Sequence, residues 1–143
     1  KEWLRGFFQL ICVMFITVVF LILGFMPISD YKSTTLLSPS ESYNIQGTVN
    51  AAGFSRDIIV KIRLYDHNLN ELDVITTGAS DVMKWVIGWD SKEDIVILYS
   101  SDIGNRAWRV NNNSLMEIPY KDLSEDINNQ ATDLYNQKYK KTD

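Results

Sequence analysis

Twenty consecutive residues, Phe7 to Met26 (FFQLICVMFITVVFLILGFM), carry no charge, and Gln9 is their one strongly polar side chain. At about 1.5 Å rise per residue, a helix of that length spans roughly 30 Å, the thickness of a bilayer's hydrocarbon core. Fourteen of the twenty are Leu, Ile, Val or Phe. At roughly −0.3 to −0.6 kcal/mol each they favour insertion by about 4 to 8 kcal/mol. A secretory signal has a shorter apolar region followed by small residues at a cleavage site. Here the run is longer and is followed by GFMPISDY. An uncleaved anchor is the expectation, ended at Pro27, which cannot donate to the helix ladder and restricts the residue before it.

The flanks set the expected orientation. KEWLRG offers Lys1 and Arg5, whereas the other side offers only Lys32 nearby. Counting cations therefore puts residues 1–6 in the cytoplasm and the remainder outside, in a periplasm or extracellular space, with Trp3 and Tyr31 as interfacial anchors. The single cysteine, Cys12, lies within the apolar run, so no internal disulfide can staple the rest.

Residues 27–143 number 117, enough for one compact domain. Twelve Lys and Arg against 17 Asp and Glu leave it at −5, which argues against nucleic acid and anionic lipid headgroups as its partners. Residues 27–42, rich in Ser and Thr and without a period, read as a tether. From Tyr43 onward, short apolar runs alternate with turn residues. The expected strands are 43–49, 57–65, 71–77, 83–89, 94–100, 106–110 and 115–118. Both faces of the 83–100 hairpin are apolar, which predicts a central strand pair covered on each side. Beyond Pro119, Leu123, Ile127, Ala131, Leu134 and Tyr135 mark a helical stripe over 120–141, with Asp and Glu early and Lys late, as the helix dipole favours. The expected fold is α+β: one transmembrane helix, then an antiparallel meander of about six strands with a C-terminal amphipathic helix.

Chemistry is sparsely provided. His67 is the only histidine and sits in a polar turn, no cysteine lies outside the apolar run, and no phosphate loop or nucleophile elbow is present. The expectation is a non-enzyme with no catalytic residues, metal or cofactor, and no small-molecule ligand. The stretch 84–108 concentrates aromatic and acidic residues next to two polar turns. Trp, Tyr and Arg supply most binding hot spots, so Trp89, Asp90, Glu93, Tyr99, Asp102, Arg106 and Trp108 are the expected partner-binding residues. An N-terminal anchor, a short tether and an acidic β-rich domain without catalytic residues together resemble the small membrane-anchored bacterial immunity-type proteins with a periplasmic domain. That resemblance implies a protein partner, such as a secreted toxin, held near one membrane face. The alternative is an accessory or assembly subunit of a larger envelope complex, in which Gln9 and Thr17 bond to neighbouring helices.

Overall fold

The structure is a computed structural model and describes residues 2–25, 27–52, 55, 56 and 59–140. Lys1, Met26, Asp57 and Lys141, all used in the expectations above, lie outside the described residues. The chain divides into two compact units, Lys1–Asp30 with Asn50–Asp57, and Tyr31–Val49 with Ile58–Asp143.

In the first unit, helix α1 (Glu2–Phe25) carries the apolar run. Its span Trp3–Leu21 has a mean hydropathy of 2.2 with no residue buried, long and apolar enough to cross a membrane. Trp3 stacks on Phe7 with ring centroids 5.8 Å apart. The Thr17 hydroxyl donates to the Val13 carbonyl four residues back at 2.8 Å, so it is satisfied within its own helix.

Two antiparallel sheets follow. The first contains β1 (Pro27–Lys32), β2 (Leu36–Leu37), β3 (Tyr43–Ala52), β4 (Ser55–Arg56), β5 (Ile59–Asp66) and β6 (Glu71–Ser80). Its order is β1-β3-β5-β6, with β2 and β4 also paired to β3. The second contains β7 (Trp85–Trp89), β8 (Ile95–Ser100), β9 (Arg106–Asn111) and β10 (Ser114–Ile118), in the order β10-β9-β8-β7. The single meander of the sequence reading is thus two short meanders, and the chain changes sheet at the turn after β6.

Period-two alternation explains how they stack. Ile45, Val49, Val60, Ile62 and Leu64 point from the first sheet into a shared core with Trp85, Ile87, Val96, Leu98 and Trp108 from the second. The other face of β8 presents Ile95 and Ile97, which pack with Ala107 under Ile127 and Ala131 of helix α2 (Glu125–Tyr139). Strand β8 is therefore buried on both sides, as its sequence predicts, and α2 is the third layer. Each fully buried Ile or Leu here contributes about 1.5–3 kcal/mol. Ser124 caps α2 by accepting from the Ile127 N–H at 3.2 Å. The predicted helix over 120–141 is interrupted: Tyr120–Asp122 is a 3-10 turn, and the α-helix starts only after that cap.

The segment read as a tether is a further correction, because it holds β1 and β2. Ser33 donates its N–H to the Gly47 carbonyl at 2.8 Å, and its hydroxyl accepts from the Gly47 N–H at 2.9 Å. Ser40 docks on the β7–β8 turn, its hydroxyl 2.6 Å from the Asp94 carboxylate. Pairing to β3, rather than an apolar pattern of its own, orders this stretch.

Candidate functional site

The expected partner-binding residues do not converge. The Asp90 turn and the Asp102 turn cap opposite ends of β8, whose six residues span about 20 Å. Trp108 is only 5% exposed and belongs to the core, so it offers nothing at a rim. Trp89 is half-buried, and its indole N–H donates to the Leu36 carbonyl at 2.9 Å. Tyr99 lies against Tyr135 of α2, ring centroids 4.5 Å apart. Glu93 pairs with Arg109 at 3.2 Å and Arg106 with Glu117 at 3.3 Å, both at the surface.

The two aspartates organise their own turns. Burial pushes the Asp90 carboxyl up, but N–H donation from Lys92 and Glu93, each at 2.8 Å, and from the Gln130 amide at 2.7 Å outweighs it and holds the pKa below the usual range. At Asp102, desolvation again opposes ionisation, and the Ser100 hydroxyl together with the Ser80 N–H at 2.9 Å reverses it, leaving the pKa lowered. His67 stays exposed in the β5–β6 turn. Among the described residues, no three His, Cys, Asp or Glu side chains are grouped so as to hold a metal ion.

What the second unit does offer is a cleft of about 460 Å³ between the β1–β2 edge of the first sheet and the β7 edge of the second, with the end of α2 as its third wall. Lys32, Thr34, Trp85, Ile87, Gln137 and Lys138 are among the residues that line it. The indole of Trp85 sits at its centre of contacts. Tyr31 meets it edge-on at 6.0 Å, the Lys138 ammonium lies 4.7 Å from its ring centroid, and its N–H donates to Asp81 at 2.9 Å. Desolvated ammonium–indole pairs of this kind contribute up to about 2 kcal/mol. Lys138 also donates to the Trp85 carbonyl at 2.9 Å, and the Tyr139 hydroxyl both donates to that carbonyl at 2.8 Å and accepts from the Trp85 N–H at 3.2 Å.

The lining holds two lysines and no carboxylate, although residues 27–143 carry −5. A local excess of positive charge with aromatic and mixed polar walls suits an anionic, partly apolar ligand. Sequence reasoning missed Lys32, Ile87 and Lys138 because they lie on three elements far apart in the chain. The available signal was Lys138 within the α2 stripe, read there as dipole complement only. No protein-family model, curated protein or solved structure matches this chain.

Proposed function

We propose that this chain is a membrane-tethered binding module, anchored as a single pass with residues 1–6 in the cytoplasm and the β-rich domain in the periplasm or outside the cell. Its work is to hold a protein partner near one membrane face, as the immunity-type proteins it resembles would hold a secreted toxin. The observation that carries this reading is the unburied apolar span Trp3–Leu21, joined in one chain to a domain with an open, lysine-lined cleft. Catalysis has no part in the proposal. The accessory-subunit alternative draws less support, because Thr17 already bonds to its own helix and Gln9 is left as the polar side chain of the run.

Two measurements test it. Replacing residues 7–26 with an unrelated single-pass anchor retains function in a tethered module and abolishes it in a subunit that assembles through its helix. Orientation is read with Ser91→Cys, since Ser91 is exposed and the native Cys12 lies in the apolar run. A membrane-impermeant maleimide labels the variant in intact cells if the domain is outside. Labelling only after lysis refutes the proposed topology.

A further inference from the structure

Strand β7 ends its sheet, so one of its edges has no strand beside it. The phase of the β7–β8 ladder says which groups that edge presents. Ser101 N–H donates to the Lys84 carbonyl at 3.0 Å, and Asp90 N–H to the Ile95 carbonyl at 2.8 Å. In an antiparallel pair the bonded residues alternate, so Lys84, Val86, Gly88 and Asp90 spend their backbone groups on β8. Trp85, Ile87 and Trp89 turn theirs outward. The contacts at Trp85 agree with this, since its N–H and carbonyl are taken from outside the sheet by Tyr139 and Lys138. Two residues on, Ile87 turns an N–H and a carbonyl toward the cleft it lines, and among the described residues nothing pairs with them. Beyond it, the indole of Trp89 closes the edge by bonding to Leu36.

Resting on the reading of the domain as a partner-binding module, we infer that the partner enters this cleft as an extended segment bearing carboxylate side chains and adds a short strand at Ile87. An extended backbone supplies the carbonyl and N–H that Ile87 lacks, whereas a helix has its own bonds satisfied internally. Side chains on alternate residues of such a segment point to the same side. Lys32 and Lys138, on opposite walls, are the cations for carboxylates so spaced. The lysines also argue against a second copy of this chain pairing edge to edge, because that would bring like charges together.

The test uses the full chain in lipid nanodiscs and a phage-displayed library of random seven-residue peptides. Enriched peptides should carry Asp or Glu at alternate positions, and the bound peptide should slow hydrogen exchange at the Ile87 amide by about tenfold or more. Methylating the peptide nitrogen opposite the Ile87 carbonyl should weaken binding about fivefold, the worth of one hydrogen bond, while leaving the protein untouched. Lys32→Glu should weaken it by about fivefold or more, since an attraction becomes a repulsion. Enriched peptides without acidic residues, or binding that leaves Ile87 exchange unchanged, overturn the inference. So does protection of Ile87 without peptide in a dimer of the chain. If no peptide is enriched yet the full chain still cross-links one partner in intact membranes, the edge inference fails and the binding-module reading stands. If neither occurs, both fail.

Discussion

Gly47 on β3 is where the two sheets come closest, and Gly47→Ala tests the packing around the cleft. A Cβ at this position would lie 2.9 Å from both Cη2 and Cζ3 of Trp85 and 3.2 Å from Cδ1 of Ile87. Comfortable carbon–carbon separations begin near 3.5 Å, so the indole must retreat by about 0.6 Å. It has little room to do so. The ring is 3% exposed, its N–H is held by Asp81 at 2.9 Å, and Lys138 lies against its face. Overpacking of this kind costs about 1–3 kcal/mol. Replacing glycine also restricts the unfolded chain and returns about 0.4–1 kcal/mol. The net expectation is a loss of about 1–2 kcal/mol, read from urea unfolding of the full chain in detergent micelles by tryptophan emission, at unchanged m-value. Trp85→Phe removes the ring carbons that clash, so in the double variant the Gly47→Ala penalty should shrink by about 1 kcal/mol. A Gly47→Ala protein within about 0.5 kcal/mol of the parent, or the same penalty in the Trp85→Phe background, would refute the close approach of β3 and β7 and with it the shape of the cleft.

Three further outcomes follow from the turns. Asp90→Ala strands the Lys92 and Glu93 N–H groups and the Gln130 amide, and should cost about 2–3 kcal/mol in the same unfolding assay, with Asp90→Asn costing less because one acceptor oxygen remains. Leu69 is exposed yet adopts φ +64° in the β5–β6 turn, so Leu69→Asn should raise stability by about 0.5–1 kcal/mol; destabilisation instead would mean that the leucine makes a contact worth more than its strain. Asp66, chiefly through the Asn70 amide, and Asp90 and Asp102, through donors that overcome desolvation, all have lowered pKa values in the folded state. The unfolded chain therefore binds their protons first, so the stability they contribute is complete above about pH 4 and is lost as pH falls through the folded values. Unfolding free energy measured from pH 6 downward should decline in that acid range, and a flat profile would contradict the bonding described for the three turns.

Much of the layer arrangement can be read from local pattern. In DIVILYS, apolar residues on both phases leave no face for water, and the structure buries Ile95 and Ile97 on one side and Val96 and Leu98 on the other. The stripe through Ile127 and Ala131 likewise finds its sheet. Residues 27–42 were illegible for a physical reason. They form edge strands whose hydrogen bonds go to β3, and a segment such as Lys32-Ser33-Thr34 has no apolar alternation to report that pairing. The site was illegible for a different reason. Polar turns invite a binding role, but Asp90 and Asp102 direct their carboxylates to neighbouring N–H and O–H groups of the domain itself. The open cleft instead joins Lys32, Ile87 and Lys138, whose proximity depends on how two sheets and a helix stack.

An unpaired sheet edge invites association with any extended chain, and proteins ordinarily blunt it. Most of this edge is blunted: Tyr139 and Lys138 occupy Trp85, and Trp89 reaches across to Leu36. The opposite side of the sandwich is also bridged, where Asp73 on β6 accepts from the Leu115 N–H on β10 at 2.8 Å. Ile87 is the exception, and lysines rather than apolar residues flank it. One bridge of two hydrogen bonds is worth about 1–3 kcal/mol, too little to hold a partner in free solution. Confinement changes that balance. A domain fixed at a membrane surface meets a partner on the same surface at an effective concentration that free diffusion does not reach, so a short, charge-selected strand can suffice as one contact among several. The anchor and the narrow edge are then two halves of one binding strategy, and lengthening the open edge would give up selectivity for affinity that the tether already provides.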